Sequence, residues 1–358
     1  MRDRLFGKTL WLISAAILVA LGAFLPAGVS ATNFNPVATD TTRETDPAPS
    51  PDGKWIAFTS DRGGHGASQV YIMPVAGGGQ PRQLTNEPDS ARAGTPSWAP
   101  DGKSLLFIST RGKRYNVYSI PFEGGQPRQL THAPGSHRFA TYSADGRKIA
   151  FYSNRVRPGD LYGFNIFVMD DEGEREDDMA RQVTNSKGSP GHPTWSPDGK
   201  WIAFVEKEFD STRQQTMEGN ILFTKYQLYK VPARGGKEIR LTKGLIKGQP
   251  FEDTWPMWSP DGKWIAFGRQ LGVKRDVWLM DVATGKTFAL TNTGNCIKPT
   301  WAYDSRSIYY SMVVDKSEDI WVATDLTLKS TIPERTRSSK KSRAGSAIRR
   351  STSRSTQR

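Results

Sequence analysis

One ten-residue word recurs six times along the chain, and that recurrence constrains the fold before any other feature is read. Its sharpest copy is Trp258–Phe267 (Trp-Ser-Pro-Asp-Gly-Lys-Trp-Ile-Ala-Phe). Near repeats stand at Trp195–Phe204, Trp98–Phe107 and Tyr142–Phe151, and worn ones at Pro49–Phe58 and Trp301–Tyr310. The turn aspartates Asp52, Asp101, Asp145, Asp198, Asp261 and Asp304 are 49, 44, 53, 63 and 43 residues apart. A period of roughly 40–50 residues suits four-stranded propeller blades and is too long for helical solenoids.

Each word predicts an antiparallel hairpin. In Ser-Pro-Asp-Gly-Lys, proline presets φ, aspartate bonds its own backbone and glycine takes the left-handed position. The aromatic residue before the turn and the apolar run after it are β-strand material. A third strand follows in every unit (Val70–Met73, Val117–Ile120, Ile166–Met169, Leu228–Val231, Val277–Met280, Ile320–Ala323). Five units then close on a short fourth strand: Gln83-Leu84-Thr85, Gln129-Leu130-Thr131, Gln182-Val183-Thr184, Arg240-Leu241-Thr242 and Ala289-Leu290-Thr291. The acidic run Asp170–Asp178 reads as a solvated loop in the third unit. The sixth unit offers Pro299–Tyr303, Ser307–Val313 and Asp319–Ala323 and no fourth strand, whereas Pro36–Thr39 is a strand without a blade. Joining the two closes the ring and removes open sheet edges. The expected fold is all-β: a six-bladed propeller of four-stranded antiparallel blades, closed by the N-terminal strand.

Charge and apolar patterning divide the chain into three parts. Residues 1–31 carry Arg2, Arg4 and Lys8 ahead of an apolar run from Leu10 to Leu25, then Pro26, Gly28 and the small residues Val29-Ser30-Ala31. This is the layout of a secretory signal peptide, and the run is short of the ~20 residues of a spanning helix. Export to the periplasm or beyond is therefore expected, with a retained membrane anchor as the other reading. Residues 32–328 form the propeller. Residues 329–358 hold ten Lys/Arg and one acid and few apolar side chains, so they are expected to be a disordered tail. That tail and the N-terminal segment carry most of the net charge of +13, leaving a body close to neutral. Cys296 is the only cysteine, which excludes an intrachain disulfide, and it is expected to be a buried filler.

The repeated words, with Gly-Gly and Gln-Leu-Thr closing the units, resemble the WD40-like repeat of the TolB-type six-bladed propeller family over about residues 34–325. That family includes the periplasmic protein of the Tol–Pal system, and related repeats form the propellers of prolyl-oligopeptidase-type peptidases. The resemblance implies an interaction scaffold in the cell envelope. The resemblance covers the propeller alone, so neither the TolB N-terminal α/β domain nor the peptidases' hydrolase domain with its Gly-x-Ser-x-Gly elbow is expected beside it.

No catalytic motif is evident. The four histidines His65, His132, His137 and His192 lack zinc-site spacing, and the Gly-Gly pairs belong to hairpins rather than phosphate loops. The turn aspartates sit on six different blades and read as turn formers. No metal and no cofactor are expected. Alternating strand direction puts the tight turns on one face and the long connections on the other: Asp61–Ser68, Glu87–Thr95, Ala133–Phe139, Asn154–Phe164, Glu206–Lys225, Lys243–Trp255 and Thr293–Lys298. Long loops on a rigid scaffold are where recognition resides. Two sets of candidate partner-binding residues follow. Asp46, Thr95, Phe139, His192, Trp255 and Lys298, placed just before the innermost strands, are expected to ring the channel mouth. Arg62, Arg111 and Arg155 recur after the second strands and suit either a partner's carboxylates or the blade's own loops. The expected activity is binding of a protein or peptide by a monomer, without nucleic acid, the basic tail touching anionic envelope polymers weakly at most. The competing reading is an envelope lyase or hydrolase acting on carbohydrate or peptide at the mouth, with Asp46, His192, Asp253 and Lys298 as its titratable candidates.

Overall fold

The computed structural model describes residues 29–328, apart from 40–41, 64–66, 77–78, 89, 161–162, 176–178, 187, 210–223, 244, 247–248 and 316. The basic tail, and the segment that reads as a signal up to residue 28, lie outside the described residues. Six antiparallel sheets radiate from a central channel. Blade 1 runs outward through Glu44–Pro49, Trp55–Ser60, Gln69–Pro74 and Arg82–Gln83, and blades 2 to 5 repeat that order. Blade 6 has Cys296–Trp301, Ile308–Val314 and Ser317–Thr324, and takes its outer strand, Asn33–Ala38, from the other end of the chain. Asn33 pairs with Thr324 and Ala38 with Ile320, so the closing strand begins three residues earlier than Pro36 and excludes Thr39. Outside the blades, Val29 and Ser30 pair with Leu328 and Thr327, and Val29 is buried.

The repeated word makes the same turn in each blade. Ser50 Oγ donates to Asp52 Oδ1 at 2.6 Å and accepts from Trp55 N at 2.9 Å, while Gly53 stands at φ 69°. Ser143, Ser196 and Ser259 repeat the serine contacts with Asp145, Asp198 and Asp261. These hydrogen bonds hold the carboxyls of Asp52, Asp145 and Asp198 below their usual range. The worn sixth copy puts Ser305 at φ 55° where the others have glycine.

The Gln-Leu-Thr word also has a physical cause. The fourth strands of blades 1 to 4 ladder over two residues only, too few to hold an edge by backbone pairing. Threonine completes the attachment: Thr85, Thr131, Thr184, Thr242 and Thr291 accept from the backbone N–H of Val70, Val117, Ile166, Leu228 and Val277 at 2.9–3.0 Å. Neighbouring blades are stitched near the channel, where indole Nε1–H of Trp98, Trp195 and Trp301 reaches a carbonyl of the preceding inner strand (Ala48, Thr141, Met257). Between the sheets lie apolar clusters such as that of Ala57, Ile72, Leu105, Phe107 and Ile120.

Blades 4 and 5 depart from the regular unit. The segment read as the long loop Glu206–Lys225 starts and ends in strand, because the hairpin Trp201–Phe209 with Thr224–Pro232 extends into it. Residues 210–223 of that segment lie outside the described residues. The inner strand of blade 5, Gln249–Trp258, absorbs much of the Lys243–Trp255 connection and pairs with a further strand, Leu245–Ile246. Asp170–Asp178 is corrected in part as well: Glu174 is buried, not solvated.

Candidate binding site

Every inner strand carries a bulge, and the bulge places the candidate residues. The ladder shifts register between Thr45 and Ala48, and at the matching point of the other five blades. The first bulged residue is Asp46, Thr95, Phe139, His192, Trp255 or Lys298, each with φ between 49° and 54°. These six therefore lie within the innermost strands rather than just before them. Five of the six precede proline (Phe139 precedes Ala140), and proline, which cannot donate to a ladder, is accommodated at a bulge. A left-handed backbone at a bulky non-glycine residue costs of order 1–3 kcal/mol and clusters at functional sites.

The six do meet. They form a waist in the channel, lining a cavity of about 230 Å³ together with Ile108, Tyr115, Arg138 and Tyr152. All except His192 also border a second cavity of about 380 Å³, which runs past Pro100, Pro197 and Pro260 toward the tight turns. One half of the waist is aromatic: the Phe139 and His192 rings are 4.8 Å apart edge-to-face, and those of His192 and Trp255 5.6 Å. The other half is charged. Lys298 Nζ meets Asp46 Oδ1 at 3.0 Å, Thr45 Oγ1 at 2.5 Å and Glu318 Oε1 at 3.5 Å. Burial pulls the His192 imidazole down to about 4, so it is neutral at physiological pH. Among the described residues no three His, Cys, Asp or Glu side chains gather as a metal-binding group.

The arginines are placed differently. Arg62 pairs with buried Glu44, Arg111 with Glu87 (Nε to Oε2 2.9 Å) and Arg155 with Glu174. Each guanidinium also lies over aromatic rings of its own blade, Arg155 at 4.7 Å from the Phe167 ring centre. None of the three lines the waist cavity. Arg269 forms a fourth such clasp, held by Asp253 at 2.7 and 2.9 Å and stacked over Phe251. Asp253 is consequently engaged inside blade 5 and takes no part in the mouth. Burial alone raises the Glu174 carboxyl, but Arg155 and the N–H groups of His132 and Ala133 outweigh it and hold it low.

Arg138 is the waist residue that sequence reasoning missed. It directly precedes Phe139, and the corresponding residues elsewhere are Thr45, Gly94, Gly191, Thr254 and Ile297, with no charge among them. Its guanidinium sits 4.2 Å above the Tyr115 ring.

A family model described as the TolB beta propeller domain matches residues 163–344. The chain belongs to that family. Its solved relatives include a putative TolB from Agrobacterium tumefaciens, 20% identical, with a TM-score of 0.58 over 84% of this chain and 99% of that one. An oligogalacturonate lyase solved with manganese is 13% identical, with a TM-score of 0.52 over 83% of this chain and 97% of that one. At such identities the likeness shows the shared fold alone. Dipeptidyl-peptidase 5 of Porphyromonas gingivalis is 31% identical over 144 residues, 38% of this TolB-family chain. The chain spans only 19% of that peptidase's length.

Proposed function

We propose that this TolB-family propeller is an exported, envelope-located module that binds a protein or peptide partner through the long-connection face, with the channel waist at its centre. The observation that carries the reading is the ring of six left-handed residues. Strain repeated in every blade holds a mixed aromatic and charged surface at one level of the channel. The tight-turn face, by contrast, repeats one hydrogen-bonded turn whose polar groups satisfy each other. A rigid disc of this kind recognises with little change of shape. The arginine clasps support the loops of this face from within their blades.

The test is quantitative capture of partner from envelope extract, with the captured protein identified and its affinity then measured. Trp255→Ala is expected to weaken binding at least about tenfold, as loss of an aromatic anchor does. Lys54→Ala and Lys263→Ala on the opposite turns should stay within about twofold. Equal losses on both faces would overturn the reading. The lyase and peptidase relatives favour a second reading, an enzyme using the same mouth. Turnover of a small saccharide or peptide that disappears in His192→Ala, with partner capture unaffected, would establish it instead.

A further inference from the structure

The waist cavity carries sealed polar atoms that the protein itself leaves without partners. Thr95 Oγ1, Arg138 Nε and His192 Nδ1 are each out of solvent, and no described residue hydrogen-bonds to them. All three belong to residues lining the same 230 Å³ space. A buried polar atom left unpaired is costly, so three around one cavity is not an ordinary packing outcome.

Their chemistry is lopsided. Arg138 Nε–H can only donate, and the Thr95 hydroxyl is free to donate. The formal charges lining the cavity are the cations Arg138 and Lys298 against the single anion Asp46. Lys298 is already committed to Asp46, Glu318 and Thr45. No described carboxylate pairs with Arg138, whereas Arg62, Arg111, Arg155 and Arg269 all hold one. Tyr152 adds a hydroxyl that burial keeps protonated, Arg138 opposing the rise. The wall beside these donors is made of the Phe139, His192 and Trp255 rings.

We propose that the cavity is a carboxylate pocket: it takes an acid on Arg138 and Thr95, with an adjoining aromatic or apolar group against Phe139, His192 and Trp255. The acid comes either from the C-terminus of a peptide or from a free small molecule. A guanidinium 4.2 Å above the Tyr115 ring, its Nε without a partner among the described residues, is suited to a planar carboxylate. The inference deepens the proposed function and rests on the channel mouth being the recognition face.

The experiment is isothermal titration of the purified full chain, with Trp fluorescence in parallel because Trp255 lines the pocket. The probes are N-acetyl-phenylalanine, its amide, a hexapeptide ending in free phenylalanine, and that peptide's C-terminal amide. An acid is expected to bind at least about tenfold tighter than its amide, the worth of one charge-assisted contact. Arg138→Gln should erase that preference and Arg138→Lys keep part of it. A peptide acid binding well above the small acid identifies a chain terminus as the source, and equal binding identifies small acids. Acid and amide bound alike, or no acid bound, would overturn the proposal. So would a preference surviving Arg138→Gln at an unchanged melting temperature. If Arg138→Gln melts early, Thr95→Val decides, since the pocket requires it to weaken the acid severalfold and leave the amide unchanged. Partner capture that depends on Trp255 while every acid fails to bind would sink the pocket and leave the recognition face standing.

Discussion

Two buried histidines give the fold a measurable acid sensitivity. His137 is wholly buried, with Nε2–H donating to the Ala133 carbonyl at 2.8 Å and Nδ1 2.8 Å from Ser153 Oγ. Burial brings it down to about 4, as it does His192 in the waist. Unfolded, each would titrate near 6.5, so between these values the unfolded chain binds the extra protons. Stability therefore rises with pH across that window and is lost as pH falls through it. A shift of this size is worth about 3 kcal/mol per histidine at most between pH 7 and 4. The melting temperature should fall steeply from pH 6.5 to 4.5, and His137→Gln should flatten the slope. A slope unchanged in that variant would show that His137 is not the titrating group. Residue-scale legibility was uneven for a related reason. The waist residues could be found because each stands at one fixed offset before its repeated word, whose first residue is aromatic in every blade but the first. Arg138 could not, because it is one charge at a position that is uncharged in the other five blades.

At the scale of elements, what could be read was what is local. Pro-Asp-Gly turns and the Gln-Leu-Thr closure depend on residues no more than 18 positions apart, so their words announce them. The arginine clasps are different: Glu44 comes from an inner strand, Glu87 from a connection between blades and Glu174 from an outer loop. Partners drawn from three places in the repeat leave no period to detect. Five of the six inner-strand bulges were concealed by their prolines, which suggest the end of a strand and instead mark an irregularity inside one. The missing fourth strand of blade 6 was legible as an imbalance between the two chain ends, and its pairing makes a direct test possible. Deleting residues 32–40 removes the strand Asn33–Ala38 from its partner Ser317–Thr324 and exposes that edge. The variant should melt at least about 5 °C lower, on a scale of roughly 2–4 °C per kcal/mol for domains of about 150–250 residues and somewhat less for this larger one, and should aggregate. Melting like the intact chain would show that this strand does not hold the ring shut.

For the molecule as a whole, the question is which segments reach the mature protein. Two devices join the chain ends, and they fall on either side of Ala31. The ribbon Val29–Ser30 with Thr327–Leu328 lies before it, and the ring-closing strand, starting at Asn33, lies after it. A cut after Ala31 would spare every residue of the closing strand and forfeit the ribbon, whose Val29 belongs to the cluster of Trp264, Phe288, Leu290 and Leu326, together with the packing of Ala31 against that cluster. Burying one valine is worth about 1.5–3 kcal/mol, so processing at this point trims stability without opening the propeller. Protein recovered from the envelope fraction should therefore begin at or near Thr32 on N-terminal sequencing. A variant engineered to start at Val29 should melt a few degrees above that form, since it adds the ribbon and the packing of Ala31 against the same cluster. Intact Met1 in the membrane pellet would overturn the cut and make the apolar run from Leu10 to Leu25 an anchor, with the ribbon holding the propeller close to the bilayer.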